Sequence, residues 1–201
     1  MKEFKIFYPL KNPSRVVQTF GENPEYYSKN IPGLKAHNGW DIVGNHNQKV
    51  RATHDGEVVY AGVDSKEGWG VVLRTTEKFD YGAPLSFTAI NEVYFKTIYW
   101  HLIKEIPVKV GQKVKAGDVI GYADNTGFST GDHLHFGLKP QQKGENDWTW
   151  FNIENENGYF GAIDPAPYFN NYCAEDAQLV ISIYSKIAEI LKLIINLFFK
   201  K

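Results

Sequence analysis

The stretch Gly127-Phe128-Ser129-Thr130-Gly131-Asp132-His133-Leu134-His135-Phe136-Gly137-Leu138-Lys139-Pro140 decides how this chain is read. Its centre alternates imidazole and apolar side chains. On a strand, successive side chains point to opposite faces, so His133 and His135 share one face and Leu134 and Phe136 the other. The apolar face suits a core. The imidazole face must meet something polar: a metal ion, a water-filled cleft or bulk solvent. Histidine is an ordinary, intermediate burier, so the surrounding chain has to choose among these.

Outward from that stretch, short apolar runs alternate with glycine turns. VKVGQKVKAGDVIGYA, Val108 to Ala123, holds two such turns before it, and KTIYWHLIK, Lys96 to Lys104, reads as a strand ending near His101. GWGVVLRTT supplies a strand over Val71 to Thr75, and RATHDGEVVYAG a turn at Asp55-Gly56 followed by a strand over Val58 to Ala61. Pro9, Pro13, Gly21, Pro24, Pro32 and Gly33 make the first forty residues read as loop with short strands such as Val16 to Phe20. Many short strands at close spacing predict a mainly β domain, a compact antiparallel sheet or sandwich, over residues 1–172. Two segments look like additions to it, Glu77 to Phe95 and the aromatic-rich Gln141 to Gly161.

The tail, residues 173–201, differs in kind. From Glu175 onward glycine and proline vanish. At roughly 100° per residue, Gln178, Ser182, Ser185, Lys186, Glu189, Lys192 and Asn196 gather on one side. Leu179, Ile183, Ile187, Ile190, Leu191, Ile194, Leu197 and Phe198 take the other. This predicts an amphipathic α-helix with a wide apolar face. Lys186, Glu189 and Lys192 make it a poor bilayer span. It is expected to pack on the domain, self-associate or lie on a membrane surface, the last helped by Lys200-Lys201.

A net charge of -1 gives no argument for a nucleic-acid partner. The single cysteine, Cys173, excludes an intrachain disulfide and a thiolate metal cage. The N-terminal MKEFKIFYPLKNPSR has no unbroken apolar run or small-residue cleavage site, so no secretory signal is expected.

The chemistry concentrates in histidine. His37 and Asp41 lie four apart around the Asn38-Gly39 turn, His101 closes the run Ile98-Tyr99-Trp100, and His133 and His135 share a strand face. Zinc accepts imidazole nitrogen and carboxylate oxygen, and catalytic sites commonly use three protein ligands. The residues suffice for such a site, although spacing alone leaves open which of them bind. His46, in the polar loop GNHNQ, reads as a solvated side chain. His54, before a turn, reads as structural, and Trp40 and Trp100 as packing around the site.

HNGWD, YWHL and GFSTGDHLHF, in that order, closely resemble the three signatures of the lysostaphin/LytM-type zinc metallopeptidases, the glycyl-glycine endopeptidase family. VGQKVKAGDVIGYADNTG and AIDPAPYF extend the likeness over about residues 14 to 169. The resemblance implies a compact antiparallel β fold. It implies that His37, Asp41 and His135 bind Zn²⁺, and that His101 and His133 are unliganded and flank the attacking water. It implies hydrolysis of peptide cross-links in bacterial peptidoglycan; a non-catalytic wall-binding or hydrolase-activating relative is the alternative. With no signal seen, a protein acting on the wall would be made in the cytoplasm and released, as a phage lysin is, or be exported by another route. The sequence departs from the family's pattern at Glu22, where an arginine is common, and in the length of Glu77–Phe95. Neither touches an expected ligand, so both bear on substrate choice.

Overall fold

A computed structural model describes residues 2–11, 15–81, 92–144, 149–173, 186–187 and 189–192. Its strands are β1 (Ile6–Tyr8), β2 (Arg15–Gln18), β3 (Trp40–Val43), β4 (Lys49–Arg51), β5 (Gly56–Asp64), β6 (Gly68–Arg74), β7 (Phe79–Asp80), β8 (Glu92–Leu102), β9 (Lys113–Val114), β10 (Val119–Tyr122), β11 (His133–Lys143), β12 (Trp150–Asn152) and β13 (Phe169–Cys173). The main sheet runs in the order β2-β3-β11-β8-β6-β5-β9, with β12 added to β11 and β7 to β8. Every pairing along it is antiparallel. The expected antiparallel β architecture is therefore present, apart from parallel contacts between β1 and β13 and at the Glu3–Asp80 bridge.

The alternation read from the sequence organises this sheet. Leu134, Phe136 and Leu138 of β11 are wholly buried, as are Phe95 and Tyr99 of β8. They join one core with Phe4, Ile6 and Leu10 from the N-terminal segment, Val50 of β4 and Ile120 of β10. Phe4 stacks on Phe95 at 4.1 Å, and Phe169 meets Phe136 at 5.5 Å. Each fully buried large apolar side chain contributes about 1.5–3 kcal/mol, so this face is fixed and the opposite face of β11 and β8 is left for chemistry.

Three expectations need correcting. The loop-like N-terminal stretch contains a helix, α1 (Pro24–Asn30). Its proline occupies the first turn, where the missing N–H costs nothing, and Glu25 there complements the helix dipole. The strand placed at Lys96 begins at Glu92, so the end of the supposed Glu77–Phe95 addition is sheet; residues 82–91 lie outside the described residues. The Gln141–Gly161 addition begins as the end of β11 and folds back as β12; Trp148 lies outside the described residues.

Most of the predicted tail helix also lies outside them. The described part is helical at 186–187 and 189–192, with Ile187, Ile190 and Leu191 about half exposed. Among the described residues no helix is long and apolar enough to cross a membrane.

Candidate metal centre and active site

Strand register builds the site. Asp41 of β3 lies directly opposite His135 of β11, one step from the Phe136–Trp40 pair. The core face therefore carries Trp40, Ile42, Leu134 and Phe136, while Asp41 and His135 project together from the other. His37 enters from the loop before β3 and is almost fully buried. Gly39 makes room in between: a Cβ there would stand 2.8 Å from the His135 ring and 2.6 Å from the Phe136 carbonyl oxygen.

Three donor atoms converge. His37 Nε2 is 3.1 Å from His135 Nδ1 and 3.2 Å from Asp41 Oδ1, and His135 Nδ1 is 3.0 Å from Asp41 Oδ1. Zinc bound at about 2.0–2.1 Å by tetrahedral ligands separates them by about 3.3 Å, so the triangle is close to that needed. Tautomer agrees. His37 Nδ1 donates to the Thr19 carbonyl at 3.1 Å, which leaves a lone pair on Nε2 facing the other two groups. These three residues could hold a metal ion. Burial pushes the Asp41 carboxyl upward, but His135 and His37, when the nitrogens facing it carry a proton, outweigh burial and hold the group well below the usual carboxylate range.

His101 and His133 stand beside the triangle, their rings 4.6 Å apart. His133 Nδ1 donates to the Gly131 carbonyl at 2.7 Å and lies 3.1 Å from Ser129 Oγ; its Nε2 is 3.7 Å from Asp41 Oδ1. His101 Nδ1 donates to the Thr126 carbonyl at 2.7 Å. Both rings thus turn a bare Nε2 outward when neutral. Strict alternation from Trp100, which pairs with His135, would send His101 to the core face. Instead its backbone has φ 63°, a left-handed conformation costly for a side chain with a Cβ, and its ring comes to the site. Burial and the neighbouring His133 push His101 down to about 4, so its ring is neutral near pH 7.

All five residues singled out in the sequence therefore meet in one place. The sequence model of peptidase family M23 matches residues 35–147, which hold every one of them. The chain belongs to this family. Glycyl-glycine endopeptidase ALE-1 of Staphylococcus capitis is 38% identical over 100 residues, 50% of this chain and 24% of that protein. Peptidoglycan DD-endopeptidase ShyB of Vibrio cholerae is 36% identical over 129 residues, 64% of this chain and 26% of that protein. The M23 chain thus spans about a quarter of the length of each. A solved zinc-containing peptidase from Vibrio cholerae superposes with a TM-score of 0.51 at 26% identity, over 82% of this chain and 41% of that one.

The other histidines and tryptophans sort differently. His54 is in the core, with Nδ1 donating to the Asp55 carbonyl at 2.8 Å and Nε2 2.9 Å from Thr97 Oγ1. His46 is mainly exposed, as expected, yet its Nδ1 is 3.0 Å from Asp124 Oδ1 and 3.8 Å from Asp132 Oδ2. Trp40 packs against Phe169 on the face away from the site, which corrects its placement beside the chemistry. Trp100 lies on the site face over Gly70, where a Cβ would collide with its ring.

Proposed function

We propose that this M23 domain is a zinc-dependent metalloendopeptidase that hydrolyses peptide cross-links of bacterial peptidoglycan and acts at the cell wall. One observation carries the reading: a His-Asp-His triangle of ligand spacing flanked by two further imidazoles. The names of the relatives, a glycyl-glycine endopeptidase and a peptidoglycan DD-endopeptidase, support the substrate class. The donor set, two imidazole nitrogens and one carboxylate oxygen, suits zinc.

His37, Asp41 and His135 would hold the ion. Bound there, zinc would polarise a peptide carbonyl and lower the pKa of water toward neutrality. The remaining work falls to the chain's own groups. The bare Nε2 atoms of His101 and His133 are acceptors in the neutral state, so either can take the proton released as water attacks. A ring that has taken the proton becomes a donor at Nε2. It can then hydrogen-bond to the developing oxyanion or protonate the departing amine. Carbonyls of Thr126 and Gly131 fix both rings through Nδ1, so the tautomer is set before substrate arrives.

The test is digestion of purified peptidoglycan, with products read by mass spectrometry. Cleavage that disappears with chelator and returns with zinc is expected. Protein that binds one zinc yet leaves several wall types uncut overturns the catalytic reading in favour of a wall-binding or activating role.

A further inference from the structure

The site face of the sheet carries a second pattern away from the histidines. Arg74 of β6 lies directly opposite Lys96 of β8, and Lys96 directly opposite Lys139 of β11. Adjacent strands are about 4.8 Å apart, so three cations form one row across three neighbouring strands. Like charges directly opposite each other on a sheet are destabilising, and all three side chains are half-buried. The row lies on the same sheet face as the site: Lys139 shares a strand face with His135, and Lys96 with Trp100, four residues away in each case.

Among the described residues few groups answer these charges. Glu57 of β5 pairs in register with Arg74 at the outer end. The Arg74 guanidinium lies 3.5 Å from the centre of the Trp150 ring. Lys139 Nζ donates to the Phe160 carbonyl at 2.7 Å, and Glu67 is its one acidic influence. Lys96, in the middle, has no hydrogen bond or ion pair among the described residues. Desolvation, then Arg74, lowers its pKa; desolvation, then Lys96, pushes Lys139 down to about 8. An anion placed on the row would relieve both effects.

We propose that Arg74, Lys96 and Lys139 form a substrate subsite that binds a carboxylate of the peptide being cut. The inference rests on the peptidase reading of the His37, Asp41 and His135 site. Along β11, four residues from His135 to Lys139 span about 13–14 Å. An extended peptide advances about 3.3–3.6 Å per residue. The carboxylate therefore belongs about four residues from the scissile bond. The favoured substrate is an acidic peptide stem rather than an uncharged run of glycine. Arg74 offers a planar fork and the lysines point charges, a combination that suits a carboxylate bridging two of the three.

The experiment uses synthetic peptides with one scissile bond and a single carboxylate stepped one residue at a time along either side, each paired with its carboxamide. Both kcat/KM and Kd are measured for the wild-type, zinc-loaded protein, for Lys96→Met and for Lys96→Arg. Wild type should favour the acid over the amide by about 10-fold or more at one position, the range of a charge-assisted hydrogen bond. Lys96→Met should erase that preference by lowering kcat/KM for the acid, and Lys96→Arg should restore it. Equal handling of acid and amide at every position, or equal loss for both in Lys96→Met, overturns the subsite. If no peptide is cut, the hydrolase reading fails by itself. The row is then judged on Kd: an acid preference lost in Lys96→Met supports it, and equal binding overturns it.

Discussion

Two neighbourhoods of buried histidine can be compared directly. His54 sits in the core with both nitrogens engaged, one by the Asp55 carbonyl and one by the Thr97 hydroxyl. His37, His101 and His133 each have Nδ1 held by a carbonyl, of Thr19, Thr126 and Gly131, while Nε2 turns toward a shared space. Burial is alike: His37, His54 and His101 are all at most 6% exposed. Burial therefore does not mark the reactive histidine. What marks it is a nitrogen left over after the fold has satisfied the other, aimed at a second such nitrogen or a carboxylate.

Removing the ligands on one side and the core imidazole on the other should separate the two neighbourhoods most widely. His37→Ala, Asp41→Ala or His135→Ala should lose bound zinc, by elemental analysis, and reduce wall hydrolysis to background. His54→Gln should keep stoichiometric zinc and activity. Zinc retained by all three ligand variants would refute the triangle. The next effect separates holding from reacting. His101→Ala and His133→Ala should keep zinc but lose about 10²- to 10⁴-fold in kcat, the usual range for a positioned acid or base. Loss of the metal in either variant would move that residue into the ligand set.

The sequence revealed this site unevenly, and the reasons are physical. Parity placed His133 and His135 on one strand face, because Leu134 and Phe136 needed the core. Spacing of His37 and Asp41 around Asn38-Gly39 suggested a shared turn, and the structure joins them within 3.2 Å. Parity misplaces His101, because a left-handed residue breaks alternation and nothing in YWHL announces it. Helix α1 was hidden by Pro24, which punctuates loops and opens helices alike. The cationic row was invisible, since Arg74, Lys96 and Lys139 meet only through the registers of β6, β8 and β11. Register depends on pairing at long range, whereas alternation is written locally.

A smaller effect sharpens the geometry. Gly39→Ala leaves every ligand in place but sets a methyl against the His135 ring and the Phe136 carbonyl. Displacing a ligand in this way should weaken zinc about 10- to 100-fold, as loss of a supporting contact does, in a competition titration with a chromophoric chelator. Unchanged affinity would mean that the triangle tolerates a shift larger than its spacing suggests.

The smallest effect concerns His54 and is read as stability against pH. Burial pushes its imidazole from 6.5 down to about 4, against the opposing influence of the Asp55 carbonyl. The folded state holds this ring neutral, while the unfolded chain protonates it near 6.5. Between those values the unfolded state binds more protons, so stability falls as pH falls. The contribution is complete above about pH 7 and is lost by about pH 4, amounting to about 3 kcal/mol at 1.36 kcal/mol per unit. In His54→Gln the amide is uncharged throughout and can still meet the Thr97 hydroxyl and the Asp55 carbonyl. Urea unfolding of both proteins, each stripped of metal, should show wild type more stable at pH 7.5 and the gap closing toward pH 4.5. All other titrating groups cancel in that difference. Parallel curves would show that the His54 ring meets water or a counter-charge, and the line drawn between a structural imidazole and the reactive ones would have to be redrawn.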